Sequence, residues 1–332
     1  LNKRAFEAAT AFGNMKSAAY YSQTQDKKAE QKYNEAGHGL PPDLLRSAIA
    51  AQSLTPQQYL RARKIFMNDI VTFSTVGYLL GIGDRHLQNF LIKTDGEGFV
   101  PIDFGYSFDT SVQILPRSEL VPFRLTPQFL SVCSPMNGAS LITDGIAECL
   151  TVLRSYRREI MSVLSTFVKE PLASWSHFAL RIGTGLPPEE QKGDESMEEE
   201  EEEDVEVLRQ AKKRRRSNSR AVRTSLSRSS TSSATNAGSV EDHLSKFSRQ
   251  RLEIVKMKLS GYHPRKIAVD LCRHSKVSEA YADDLERLLI DGAGGKVCKD
   301  PLPCEDQAAA LVEHATDPVL LQRMYAGWMP WV

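Results

Sequence analysis

Residues 77–108, GYLLGIGDRHLQNFLIKTDGEGFVPIDFGYSF, place Asp84, Arg85, His86, Asn89 and Asp103 between runs that otherwise read as core. Polar and charged side chains among apolar neighbours cost free energy unless something pairs with them. The stretch therefore asks what chemistry keeps them there.

Its flanks read as a helix and a hairpin. In LTPQQYLRARKIFMNDIVTFSTVGYLLG, 54–81, Thr55 with Gln58 fits a capping box and Pro56 suits the first helical position. Leu60, Phe66, Ile70, Phe73 and Leu80 recur at helical spacing, and Gly81 or Gly83 ends the helix. A shorter helix is expected in PPDLLRSAIAAQ, 41–52. Downstream, NFLIKTDGEGFVPIDF, 89–104, alternates strand, Asp/Gly-rich turn and strand. With the turn centred on Gly96, Asn89 and Asp103 each lie seven residues from it and sit side by side at the open end. A bulge would shift that register by one residue.

Two carboxylates and an Asn form an oxygen-rich set suited to a hard cation such as Mg²⁺. Protein kinases carry a catalytic Asp, an Asn five residues later, and an Asp-Phe-Gly whose Asp holds Mg²⁺. The order here is Asp84, Asn89, then Asp103-Phe104-Gly105. Singly, Asp84 with Arg85 reads as a local ion pair, Asn89 as a turn residue and Asp103 as a strand-end cap. Jointly, order and spacing favour an active site.

Gly-Ile-Gly-Asp-Arg-His, then Asn, then Ile-Asp-Phe-Gly resembles the phosphatidylinositol 3-kinase-related kinases and their lipid-kinase relatives, whose His follows the Asp instead of preceding it. The resemblance implies an α+β, predominantly helical fold, a protein-kinase-like C-lobe with C-terminal FATC helices. It implies ATP and Mg²⁺ as cofactors, Asp84 as the base toward a substrate hydroxyl, and Asn89 and Asp103 as the residues holding Mg²⁺ on the phosphates. His86 would stabilise charge on the transferring group, although a packed structural histidine is its other reading. Tyr106 stands where the family commonly has His.

Between Tyr106 and Phe123 the only basic residue is Arg117, with Asp109 and Glu119 as counterweights. An inositol phosphate head group would demand clustered Lys and Arg, so a protein substrate is favoured over a lipid. LVPFRLTPQFL (120–130), FVKEPLASW (167–175) and ATDPVLLQRMYAGWMPWV (315–332) are similar to the branch that acts in DNA double-strand-break repair. That branch implies a nuclear Ser/Thr kinase of non-homologous end joining, substrates often carrying Gln after the Ser or Thr, and engagement of DNA ends through the Ku heterodimer by regions outside this chain. A lipid kinase and a non-catalytic kinase-like scaffold are the alternatives.

The expected organisation is a kinase C-lobe over 1–186, with catalytic loop 81–90, Asp-Phe-Gly 103–105 and activation loop 103–126. Residues 105–124 read as loop, Thr126 and Pro127 as a helix start, and SLITDGIAECLTVLRSYR, 140–157, as helix. Residues 187–242 hold an acidic run, a basic run and a Ser-rich run, too poor in large apolar residues to offset their ordering entropy, and read as a disordered insert. Helical patterning resumes over 243–299, in HLSKFSRQRLEIVKMKLSG and SEAYADDLERLLIDG, and completes the kinase region. A FATC module over 300–332 supplies two short helices broken at Asp317 and Pro318.

Acidic and basic blocks cancel to zero formal net charge, so the sum says nothing about partners. KKRRR, 212–216, fits a nuclear import signal, a nucleic-acid contact or a solvated patch. Ser217, and Ser22 and Thr24 before Gln, are candidate phosphorylation sites, and Trp328 and Trp331 read as tail residues docking near the activation loop. Five cysteines form no CxxC pair and no spacing with His that would build a zinc site, so a reducing intracellular compartment is the simple reading and a local Cys298–Cys304 disulfide the minor alternative. No run of about 18 apolar residues is present to span a membrane. The chain begins with Leu, and its residues include no glycine-rich phosphate loop; GAGGK at 292–296 lacks the upstream Gly and the Ser or Thr of a P-loop. The expectation is a C-terminal fragment starting inside the kinase domain.

Overall fold

Helix α1 spans Leu44–Gln52, and α2, Pro56–Leu80, is the spine of the fold. The Thr55 hydroxyl accepts the Gln58 amide at 3.2 Å, and the Gln58 side chain in turn accepts the Leu54 amide at 2.9 Å, so two orphan donors are satisfied at the start. Gly81 ends the helix in left-handed conformation, φ 58°, donating to Gly77 O and Tyr78 O. The computed structural model describes residues 41–93, 98–114, 118–169, 234–273, 279–291, 301–321 and 323–324.

Phe66 and Ile70 on α2 are buried, but Leu60 is 59% exposed. Six residues from Phe66 amount to a rotation of about 120° off the buried face, so the spacing that included Leu60 was too permissive. After a 3₁₀ turn at Leu87–Asn89 come β1, Phe90–Ile92, and β2, Phe99–Pro101, an antiparallel pair. Phe66, Phe90, Phe99 and Phe129 cluster with centroids 5.4–6.2 Å apart and fasten the hairpin onto α2. Asp69 on α2 adds a bond by accepting the Phe99 amide at 3.1 Å.

The hairpin register differs from expectation by one residue. Phe90 faces Pro101, and Asn89 therefore pairs with Ile102, whose amide it accepts at 3.1 Å, rather than with Asp103. Pairing closes where the Lys93 amide donates to Gly98 O at 3.2 Å, a register one residue short of what a turn centred on Gly96 requires.

Further helices are α3 (Thr110–Ile114), α4 (Pro127–Ser131), α5 (Gly138–Ser155), α6 (Arg157–Lys169), α7 (Ala234–Leu259), α8 (Pro264–Arg273), α9 (Glu279–Asp291), α10 (Cys304–Thr316) and α11 (Pro318–Leu321). The fold is predominantly helical, as expected. Residues 234–242, placed by composition in the disordered insert, are the first turns of α7. Once a helix is nucleated by its apolar downstream half, each further residue adds a bond at little entropic cost, so a polar stretch can extend it. The remainder of that insert, with KKRRR and Ser217, lies outside the described residues, as do Ser22, Thr24, Trp328 and Trp331. Cys304 carries a free thiol and Cys298 lies outside the described residues.

The chain divides into two compact units, one of residues 1–158 with 254–332 and one of residues 159–253. In the first, Phe66 and Ile70 of α2, Ile142, Ile146 and Leu150 of α5, and Ala308, Leu311 and Ala315 of α10 share one core. A second cluster gathers Val112 of α3, Leu120, Ile267 and Leu271 of α8, Leu285 and Leu289 of α9, and Leu320 of α11. In the second unit Phe247 and Val168 are buried, and the Arg251 guanidinium lies 4.5 Å over the Phe247 ring.

Candidate active site

The end of α2, the loop 81–89 and the segment after β2 are zipped together by main chain. Gly83 N donates to Tyr106 O at 2.8 Å, Phe108 N to Leu80 O at 2.6 Å and Asp109 N to Gly81 O at 2.9 Å. Glycine is required at both ends of this ladder. A Cβ on Gly81 would lie 2.3 Å from Asp109 N, and one on Gly83 would lie 1.9 Å from Ser111 Oγ and 2.3 Å from Glu119 Oε2.

Four non-glycine residues here adopt left-handed backbone: Asp84 (φ 58°), Asp103 (56°), Phe108 (58°) and Asp109 (60°). Such a conformation costs about 1–2 kcal/mol per residue and persists only where surroundings over-determine it. Arg85 does much of that work. Fully buried, it donates to Gly83 O at 2.7 Å, to Ile102 O at 2.9 Å and to Asp103 O. The guanidinium thus rivets the loop bearing Asp84 to the strand end bearing Asp103, and is not spent on a local pair with Asp84. The Phe104 ring sits 5.8 Å from it.

Asn89 is buried and donates through Nδ2 to Asp84 O at 2.8 Å, which leaves its Oδ1 as the atom to offer a cation. Asp103 is exposed, with Oδ1 accepting the Gly105 amide at 3.1 Å and Oδ2 available. The structure therefore brings Asp84, Asn89 and Asp103 to one place, the last through Arg85 and through the Asn89–Ile102 pairing. No group of three or more His, Cys, Asp or Glu that could hold a metal is found among the described residues. Two oxygen ligands fit Mg²⁺, which keeps several waters and takes phosphate oxygens instead of a full protein cage.

His86 caps the 3₁₀ turn, its Nδ1 accepting the Gln88 amide at 3.2 Å. The proton is thereby assigned to Nε2, which lies 4.0 Å from Asp84 Oδ2. Both side chains are partly exposed, at 23% and 18%.

Sequence reasoning missed the supports. Glu119, read as a surface counterweight, is buried and accepts the amides of Asp84 at 2.9 Å and Arg85 at 3.5 Å. Burial pushes its carboxyl up to about 7, against hydrogen bonds from Ser111 and those amides, while burial pulls the Arg124 guanidinium down against the attraction of Glu119. Asp109, the other counterweight, is gripped by Lys258 Nζ at 2.7 and 2.8 Å. Lys258 also donates to Tyr78 O at 2.7 Å, and a cavity of about 50 Å³ opens beside it, lined by Gly83, Ser111, Glu119 and His314. An acid isolated in an apolar run, as in SELVPF (118–123), is the signal that could have marked Glu119.

A buried Arg thus joins two left-handed aspartates, with the Asn89 amide bonded beside them. Residues 4–177 match the phosphatidylinositol 3- and 4-kinase family and residues 301–332 the FATC domain, and the chain belongs to that kinase family. It is similar to the DNA-dependent protein kinase catalytic subunits of Dictyostelium discoideum (29% identical, 91% of this chain) and Gallus gallus (29%, 88% of this chain). The serine/threonine-protein kinase TEL1 of Eremothecium gossypii is 36% identical over 47% of this chain. The chain spans about 6% of the length of each of these relatives. Among solved structures, the FAT and kinase domain of CtTel1 superposes with TM-score 0.53 at 17% identity, covering 99% of this chain and 16% of that one, which shows a shared fold.

Proposed function

We propose that this chain carries the catalytic-loop half of a Ser/Thr protein kinase that transfers the ATP γ-phosphate to protein hydroxyls. The observation that supports it most is the Arg85 rivet, which spends a fully buried guanidinium on holding Asp84 and Asp103 in strained backbone beside Asn89. Strain of that kind gathers at functional sites.

In this reading Asp84 accepts the proton of the substrate hydroxyl, a role worth about 10²- to 10⁴-fold in rate. His86 Nε2–H donates toward the transferring group from beside that carboxylate. Asn89 Oδ1 and Asp103 Oδ2 hold Mg²⁺, which when bound neutralises charge on the ATP phosphates. Arg85 and Asn89 Nδ2 keep these atoms in place without reacting. The stretch between Tyr106 and Phe123 carries one basic residue, Arg117, which supports a protein substrate over an inositol phosphate. With Asp109 paired and Glu119 buried, that reading rests on the sparse basic charge, not on the acids.

The relatives' names, DNA-dependent protein kinase among them, support a DNA-linked kinase, and we place it in the nucleus in DNA-damage signalling. Within the longer protein we place the chain in double-strand-break repair by non-homologous end joining, engaging DNA ends through the Ku heterodimer. The domain plan is proposed likewise, with the insert shortened: kinase C-lobe to residue 186, insert ending before α7 at Ala234, completing helices to 299 and FATC module from 300. Because the chain's residues include no glycine-rich phosphate loop, the 332 residues alone are expected to transfer no phosphate.

The test supplies Mg-ATP and a Ser-Gln peptide to the full-length protein and, separately, to the 332-residue chain. Transfer by the former, abolished by Asp103→Asn, and none by the latter is the expected result. Transfer to phosphatidylinositol vesicles and not to the peptide would overturn the protein-substrate reading.

A further inference from the structure

Glu119 lies where the segment after Asp-Phe-Gly turns back beneath the loop bearing Asp84. Its carboxylate accepts the Asp84 amide at 2.9 Å and the Arg85 amide at 3.5 Å, and Ser111 donates a hydroxyl hydrogen bond to it. Arg124, five residues on, donates to Arg85 O at 3.4 Å. The peptide units on both sides of Arg85 are thus held from the activation-segment side, while the Arg85 side chain holds the opposite face. These bonds brace a left-handed backbone at Asp84, φ 58°, that is uncommon for a residue other than glycine.

We propose that Glu119 is a positioning residue for phosphoryl transfer: by fixing the main chain of Asp84 from beneath, it sets where the Asp84 carboxylate meets the substrate hydroxyl. The base and the end of the activation segment then move as one body. A displaced segment carries Glu119 away, frees two amides and lets Asp84 relax out of its strained backbone. Gly83 belongs to the same device, since any side chain there would occupy the space of Ser111 Oγ and Glu119 Oε2. The proposal rests on the reading of Asp84 as the base.

Glu119→Gln, Asp84→Asn and the double variant are compared in the full-length protein, with kcat and KM for Mg-ATP measured separately. Glu119→Gln keeps the shape but turns an N–H₂ donor toward an amide, and should lower kcat roughly 10- to 100-fold with KM changed less than about threefold. In the Asp84→Asn background the same change should lower kcat less than about twofold, because residues acting as a unit are not additive. Equal falls in both backgrounds, or no fall in the first, would overturn the proposal. Full activity of Asp84→Asn would sink the reading of Asp84 itself, a result separable from either failure of Glu119. If Glu119→Gln does not fold, Ser111→Ala removes only the hydroxyl that orients the carboxylate. It should lower kcat about threefold, with faster amide exchange over residues 81–90, and unchanged exchange there would equally reject the assignment.

Discussion

His314 is a single imidazole that ties α10 to the segment after Asp-Phe-Gly. Its Nε2 lies 2.8 Å from Leu120 O and donates to it, while Nδ1 is buried without a hydrogen-bond partner among the described residues. Burial pushes its pKa down to about 3, Arg265 and His263 add to the fall, and the Leu120 carbonyl opposes it. The folded state therefore favours the neutral ring more than the unfolded chain does. The stability this contributes is complete above the unfolded value near 6.5 and is lost as pH falls toward 3. Urea midpoints measured from pH 7 to 4 should fall for the natural chain and fall less steeply for His314→Gln. Parallel pH profiles for the two would show that other groups carry the acid sensitivity. At this scale the sequence displayed the candidate site residues but not their holders. Asp84, Asn89 and Asp103 stood out by spacing, whereas Glu119, Lys258 and His314 act across 35, 149 and 194 residues of chain and leave no local pattern.

Between elements, the joint that governs the site is the grip of α7 on the segment after Asp-Phe-Gly. Lys258 is 2% exposed, and its ammonium reaches both Asp109 oxygens and the last-turn carbonyl of Tyr78. Removing one partner of a buried pair strands the other charge at a cost of about 3–5 kcal/mol. Lys258→Met should therefore destabilise by roughly that amount, while the double change Lys258→Met with Asp109→Asn, a neutral side chain that tolerates the left-handed backbone, should recover much of it. Denaturant unfolding of the two variants and the parent decides: a single variant within about 1 kcal/mol of the parent would mean that the pair is solvated and weak. Long elements with caps were legible, as α2 shows through Thr55, Pro56 and Gly81. Short ones were not: α3 has five residues and no full apolar period, and α8 hides its face among Arg265, Lys266 and Arg273. The one local start signal of α8 is Pro264 at its first position. The one-residue register error has a similar origin, because side-chain alternation cannot locate the centre of a turn of unknown length.

On the scale of the whole molecule, the segment matched to FATC is part of the kinase core and not an appendage. Ala308, Leu311 and Ala315 of α10 are fully buried among α2 and α5 residues, and Gln307 donates to the carbonyls of Lys258 at 3.0 Å and Tyr262 at 3.3 Å. Arg154 of α5 answers from the other side, donating to Leu302 O at 3.0 Å and Gln307 Oε1 at 2.6 Å. Each buried Leu or Val contributes about 1.5–3 kcal/mol, so losing Leu311, Val312, Leu320 and Leu321 together removes about 6–12 kcal/mol before any cavity term. Whole domains have only about 5–15 kcal/mol to lose. A chain ending at residue 300 should therefore lose its near-ultraviolet circular dichroism and its cooperative unfolding, and a separate peptide of residues 301–332 added to it should restore both. A truncated chain that still unfolds cooperatively, with a midpoint close to that of the parent, would show that the core closes without α10. In that event the bond between His314 and Leu120, not apolar burial, would be what the C-terminal segment contributes to the site.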